Sequence, residues 1–351
     1  MDEDDRRHRT SGASASPPRW IWAAAVVAVV VLAAGAFLVF GRDGGGSDDA
    51  GSDDTAAATD PDSPPPSVAP TGEPHELVTI DLSDPAMPDA ALEAGDVTLA
   101  VVPATVRPAE GLVILDAGGQ VLSDPITPLL RFDVALPEID PLAEGIAAAL
   151  TSSELAALTR RVVDGDEVGD VASGWLADNG LDAVDPIDAP GPMRILPLDA
   201  PDLTIAAHLY GEVLGAAGFE VTYLEPVSDE VAAVGALRDR EADLVVAGGR
   251  TLLAALAPFD GELAYGAGSD VRGALSGVGA DAGVVANAPT AADRALRLVT
   301  TVALAASTGI DAVADLTDTG DPQRIGAEAT CTVSPLCRGQ LERTFGLRFA
   351  S

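Results

Sequence analysis

Residues 193–224 read MRILPLDAPDLTIAAHLYGEVLGAAGFEVTYL, and this stretch decides the fold class. Met193-Arg194-Ile195-Leu196-Pro197-Leu198 is a short apolar run of strand type. Asp199 or Asp202 then suits the N-cap of a helix through Ala216, with Leu203, Ala206, Ala207, Tyr210, Val213 and Leu214 on one face. Gly218 ends the helix and Phe219 to Leu224 forms the next strand. Ala236 to Ala247 adds a helix end, a polar turn and a strand apolar on both faces. Residues 193–247 thus read β-α-β-α-β, the first half of a doubly wound lobe.

The same design, helix end, polar turn and buried strand, recurs in Ala91-Leu92-Glu93-Ala94-Gly95-Asp96-Val97-Thr98-Leu99-Ala100-Val101-Val102. Two such units far apart in sequence predict two similar lobes. Residues 138–183 are helical in pattern: Thr151-Ser152-Ser153-Glu154 is a capping box, and Val168 to Asn179 is a helix closed by Gly180. From Glu76 onward the alternation of helices and short buried strands is that of an α/β fold with mainly parallel sheets.

The 351 residues include 20 Arg, no Lys and 55 Asp or Glu, for a net charge of -35. Such a chain lacks the clustered cations that bind phosphate backbones, which disfavours nucleic acid as a partner. With two Cys and three His, it also lacks the ligands for a zinc cluster or an iron-sulfur site. No Ser-His-Asp or Cys-His arrangement and no convincingly placed carboxylate pair is present, so the reading is a non-enzyme without a cofactor.

Trp20 to Phe40 is an uncharged apolar run long enough for a helix to cross a hydrocarbon core. Arg6, Arg7, Arg9 and Arg19 precede it and only Arg42 closely follows, so the charge bias keeps residues 1–19 cytoplasmic and places the remainder outside. A cleaved signal peptide is the rival, with Ala34-Gly35-Ala36 as its cleavage site, but the run continues past that point. Residues 41–75, rich in Gly, Ser, Pro and Asp, read as a disordered acidic tether, and 76–351 as the folded domain.

Four blocks of that domain resemble the substrate-binding proteins of ABC importers for quaternary-ammonium osmoprotectants such as glycine betaine, choline and carnitine. Arg194 to Leu224, continued through Val246, is similar to the family's mature N-terminus. Cys331-Thr332-Val333-Ser334-Pro335-Leu336-Cys337, running on to Phe345-Gly346-Leu347, resembles its two-cysteine segment. Ala91 to Val102 looks like its Ala-Leu-x-x-Gly-Asp/Glu-Val block, and Leu150 to Leu181 its C-terminal end. In the family the first two blocks precede the last two, whereas here the order is reversed. The resemblance therefore implies a circularly permuted, two-lobed periplasmic-binding-protein-like fold of type II, preceded by one transmembrane helix. Lobe A would span about 125–260 and lobe B about 76–120 plus 286–351, with hinges near 111–134 and 261–285. Pairing of truncated pieces between two chains in a swapped dimer is the alternative.

In an extracytoplasmic chain, Cys331 and Cys337 read as a local disulfide. The resemblance further implies a small zwitterionic or quaternary-ammonium solute and an ABC permease partner. The family's aromatic cage is missing: Val245 to Arg250 stands where a Tyr-rich run is usual, Trp175 and Tyr210 read as core, and Tyr223 and Tyr265 are weak cleft candidates. The remaining candidates are Asp199, Asp202, Gly248, Gly249, Arg250, Thr251, Thr105, Arg107, Ser123 and Asp124, with Arg250 suited to a ligand carboxylate and Asp202 to an ammonium. The alternative is a binding-deficient relative serving as an envelope sensor or protein-interaction module.

Overall fold

A computed structural model describes residues 72–350, except 83, 85, 107, 189, 258–263, 265–269 and 318–320. The expected cytoplasmic tail and membrane helix, most of the tether, and the site candidates Arg107 and Tyr265 lie outside the described residues. Among the described residues no helix is long and apolar enough to cross a membrane.

The chain folds into mixed α/β layers around two five-stranded sheets. The first contains β1 (Glu76–Thr79), β2 (Leu99–Pro103), β3 (Leu112–Ile114), β9 (Leu296–Thr301) and β10 (Arg324–Ala327), in the order β1-β10-β2-β9-β3. The second contains β4 (Ile126–Arg131), β5 (Pro192–Leu196), β6 (Glu220–Tyr223), β7 (Leu244–Gly248) and β8 (Val284–Ala286), in the order β6-β5-β7-β4-β8. The pairing patterns match strand for strand. In each sheet three neighbours are parallel, and a fourth strand, β9 or β4, runs antiparallel to both of its neighbours. The sheets are therefore mixed rather than mainly parallel.

Burial explains the strand sequences. Leu99–Pro103 and Leu244–Gly248 are buried at every position, as central strands covered on both faces must be. α5 (Pro201–Ala216) buries Ile205 and Leu209 as well as its expected face. It is apolar nearly all round because α3 (Ser152–Val163) and α4 (Val168–Asp178) cover the side turned away from the sheet. The capping box at Thr151 is formed in both directions, its hydroxyl accepting from the Glu154 amide while Glu154 accepts from the Thr151 amide. Neither Asp199 nor Asp202 caps α5: Ala200 stands at the N-cap without a side-chain hydrogen bond.

Two segments cross between the sheets, 115–125 and 287–295. The stretch 261–285, expected to be a hinge, instead supplies α8 (Val271–Ala282) and β8 to the second sheet. The two crossings run side by side. The Asp124 amide donates to Asp293 Oδ1 at 2.6 Å, the Arg294 amide to the Asp124 carbonyl at 3.0 Å, and the Ile126 amide to the Ala292 carbonyl at 2.8 Å. A paired double crossing concentrates rotation between lobes at a few backbone positions.

Candidate functional site

A cavity of about 480 Å³ opens where the two sheets face the double crossing. Its size falls within the range of small-molecule sites. From the lobe of the first sheet it is walled by Val101, Pro103, Leu296, Glu328 and the loop that runs from Cys331 to Cys337. The other lobe supplies Asp229, Glu230 and Val231 at the start of α6 (Glu230–Arg238), and Arg250 to Ala255 on α7 (Gly249–Leu256). Asp124 and Arg294 enter from the crossings. Among the described lining residues there is no aromatic ring.

Cys331 and Cys337 form a disulfide with Cα atoms 5.0 Å apart. Both sulfur-bearing residues are buried, while Val333 at the tip of their loop is 85% exposed. The bridge thus fixes one rim of the cavity. Closing so short a loop contributes at the low end of disulfide stabilisation, about 2 kcal/mol.

Most of the sequence-derived candidates fall into two clusters. In the first, Asp124 acts as an N-cap supplied from the crossing to α7. Its carboxylate accepts from the Arg250 amide at 2.7 Å and from the Thr251 hydroxyl at 2.7 Å. Gly248 permits this approach, because a Cβ there would sit 2.0 Å from Asp124 Oδ2; a Cβ on Gly249 would meet Val271 and Thr127. Arg250 lines the cavity, yet its Nε donates to the Ser123 carbonyl at 2.5 Å and its Nη1 to the Ala264 carbonyl at 2.7 Å. Those bonds turn the guanidinium into a brace between the crossing and the helix region beyond, rather than the expected grip on a ligand carboxylate. Burial lowers the Arg250 pKa, and raises that of Asp124 despite the hydrogen bonds it accepts.

The second cluster joins the lobes. Asp202, in the first turn of α5, accepts from Thr105 Oγ1 at 2.5 Å and from Arg294 Nε at 2.8 Å on the same oxygen. Thr105 follows β2 in the opposite lobe and is fully buried. Asp202 was expected to be open to an ammonium; its carboxylate is already paired with a guanidinium. Asp199 is exposed and lies away from the cavity, its amide donating to the Val227 carbonyl at 2.8 Å. Tyr223 does not face the cavity either: its ring stacks on His208, centroids 3.9 Å apart.

Four charged groups of the cavity lie outside the sequence-derived set: Arg294, Glu230, Glu328 and Asp229. Burial opposes the charge on Arg294, but Asp202, Glu230, Glu328 and Asp124 outweigh it and raise the pKa of the guanidinium. Glu230 is pushed up to about 7, chiefly by burial, with Arg294 pulling it down and Asp124 and Glu328 pushing it further up. Glu328 faces the cavity from the end of β10, on the opposite lobe. The Ser228-Asp229-Glu230 stretch, a polar helix entry after a strand, carried a usable signal: Asp229 does cap α6, accepting from the Ala232 amide at 2.8 Å. Among the described residues no group of three or more His, Cys, Asp or Glu could hold a metal ion.

No family model matches the sequence, and no curated protein matches it. Among solved structures, the chain is similar to the probable transcriptional regulator PA0477 from Pseudomonas aeruginosa, with 15% identity over 86% of this chain and 79% of that one, at a TM-score of 0.30. It is also similar to the PBP AgaA in complex with agropinic acid from A. tumefaciens R10, with 14% identity over 63% and 54% of the two chains and a TM-score of 0.31. For the putative peptide binding protein AppA from Clostridium difficile the values are 12%, 61%, 53% and 0.32. This chain spans about half the length of the latter two proteins. These likenesses are remote, and the functional reading rests on the two sheets and the cavity they share.

Proposed function

We propose that this chain is the membrane-anchored, extracytoplasmic solute-binding component of an ABC importer, taking a small cationic or zwitterionic solute of the kind that includes the quaternary ammonium compounds. The observation that carries the reading is the 480 Å³ cavity, bounded by two sheets with the same pattern of parallel and antiparallel pairing and by the two segments that cross between them. A solute touching both walls favours the closed arrangement of such lobes, and its differential affinity for open and closed states is what a permease partner would read. Residues 20–40 would hold the domain at the outer face of the membrane.

The sheet orders also support a circularly permuted type II binding-protein fold. The strands β5, β6, β7 and β8 follow one another in the second sheet, and their counterparts in the first are β10, β1, β2 and β3. One lobe is thus read in chain order, and the other only if the chain's last strand is taken first. His75 and Phe349 pair in a parallel bridge, so a short link would restore the unpermuted order.

The test is thermal unfolding of the purified full chain against betaines, choline, carnitine, ectoine and amino acids. A compound at about a hundred times its Kd adds roughly 2.7 kcal/mol to the stability of the folded state. A saturable rise for one compound supports the binder. One observation favours a second reading: Thr105, Asp202 and Arg294 join the lobes through the protein's own side chains. A flat response from a cooperatively folding chain would move the weight to a binding-deficient interaction module.

A further inference from the structure

The cavity has apolar walls and an excess of carboxylates. Leu82, Val101, Leu122, Ala254, Leu296 and Leu336 give it hydrocarbon surface. Its charged lining is four carboxylates, Asp124, Asp229, Glu230 and Glu328, against two guanidiniums, Arg250 and Arg294. Both guanidiniums are engaged by the protein: Arg250 with the Ser123 and Ala264 carbonyls, Arg294 with Asp202. Asp124 is held at the start of α7, and Asp229 caps α6. Glu328 accepts from the Thr330 hydroxyl at 3.3 Å. Glu230 differs from these three, since among the described residues no other side chain donates a hydrogen bond to its carboxylate and no Arg stands within ion-pair distance. A half-buried carboxylate against such walls, with its own backbone amide as its donor among the described residues, is costly unless a cation joins it.

Resting on the solute-binding reading above, we infer that the cavity takes a protonated amine, a monocation with N–H donors on an apolar body, and that Glu230 is the carboxylate it meets. An ammonium with hydrogens can both neutralise Glu230 and donate to it at hydrogen-bond distance. A quaternary ammonium can only neutralise it, and no ring among the described lining residues offers the aromatic face such a group prefers. A carboxylate would add a further anion to walls that already hold more acids than bases. Burial holds the Glu230 carboxyl at about 7, with Arg294 opposing and Asp124 and Glu328 reinforcing the shift, so an amine must displace its proton in acid. Asp229, beside it on the same helix entry, adds to the negative field.

The test is calorimetric titration of the full chain with butylamine, cyclohexylamine and phenethylamine. N,N,N-trimethylcyclohexylammonium, cyclohexanol, cyclohexanecarboxylate and glycine betaine serve as comparisons. At least one amine is expected to bind saturably at pH 7.5, about tenfold or more tighter than the trimethyl compound and cyclohexanol, with its affinity falling about tenfold or more by pH 5.5 as Glu230 takes up a proton. Glu230→Gln should remove that preference and the pH dependence while its thermal unfolding stays cooperative. Failure of all three amines, or equal binding of the best amine by Glu230→Gln, overturns the inference. If betaine or the carboxylate binds while the amines fail, the solute-binding reading stands without this one, and if nothing binds both are contradicted.

Discussion

Thr105 Oγ1, at the end of a strand in one lobe, donates at 2.5 Å to Asp202 Oδ2 in the first turn of a helix in the other. Arg294 Nε, on the segment that crosses between them, shares that oxygen at 2.8 Å. One carboxylate oxygen therefore ties both lobes to their hinge. Both partners of the direct contact are buried, which makes the bond stronger than an exposed one and expensive to leave half made.

Thr105→Val keeps the shape of this contact and removes its donor. Asp202 retains Arg294, so the expected loss is about 1–2 kcal/mol, read as a lower urea midpoint. An unchanged midpoint would mean that the hydroxyl carries no interlobe stabilisation.

Asp202→Asn leaves Arg294 charged and buried with its direct counter-ion neutralised. The expected cost is about 3 kcal/mol, in the range for breaking one side of a buried pair. The double variant with Arg294→Met should recover part of it, because both charges are then gone. A strictly additive double variant, measured in the same urea series, would show that the pair is not coupled.

Gly248→Ala tests the seat of Asp124. The added Cβ would stand 2.0 Å from Asp124 Oδ2, and that carboxylate is held by the Arg250 amide and the Thr251 hydroxyl, so it cannot move without breaking them. A loss of about 2 kcal/mol or more is expected in thermal unfolding. A melt identical to the parent's would contradict the close approach.

Glu230 sets a pH dependence. Its carboxyl is held at about 7 by burial, against an ordinary value of 4.5, so the folded chain binds its proton more tightly than the unfolded chain. The sign follows: its contribution to stability falls as pH rises from about 4.5 through about 7, and is constant above. Glu230→Gln should remove that slope and make the chain more stable than the parent at pH 8 by about 1–3 kcal/mol, with little difference at pH 4.5. Urea midpoints at the two pH values check it, and a parallel shift at both would sink the assignment.

The lobe built on 193–247 is legible in sequence because its signals are local: buried strand runs, helical spacing, the Gly218 stop and the capping box at Thr151. The site is less so. Gly248, Gly249, Arg250 and Thr251 could be placed at a strand end, but nothing in their spacing tells that Asp124, more than a hundred residues earlier, fills the helix start or that the Arg250 guanidinium turns to two backbone carbonyls. Asp202 likewise reads as an open acid until the fold brings Arg294 to it. The second crossing lies later in the chain than the sequence suggests because β8 is only three residues, Val284–Ala286, and its antiparallel partner is about 155 residues away, Val285 standing opposite Leu130. Strand identity is a local property, whereas pairing and charge compensation are set by partners distant in sequence.

Motion of the two lobes about the double crossing can be read from spin-label distances between them. Val163 and Met87 are exposed residues, one on each lobe, suited to labelling as cysteines in the full chain because the native cysteines are already bridged. A broader distribution with longer distances is expected in Thr105→Val than in the parent, narrowing again when a bound solute is present. The same single narrow distribution in both chains, unmoved by every compound of the panels, would describe one rigid body and contradict the hinge.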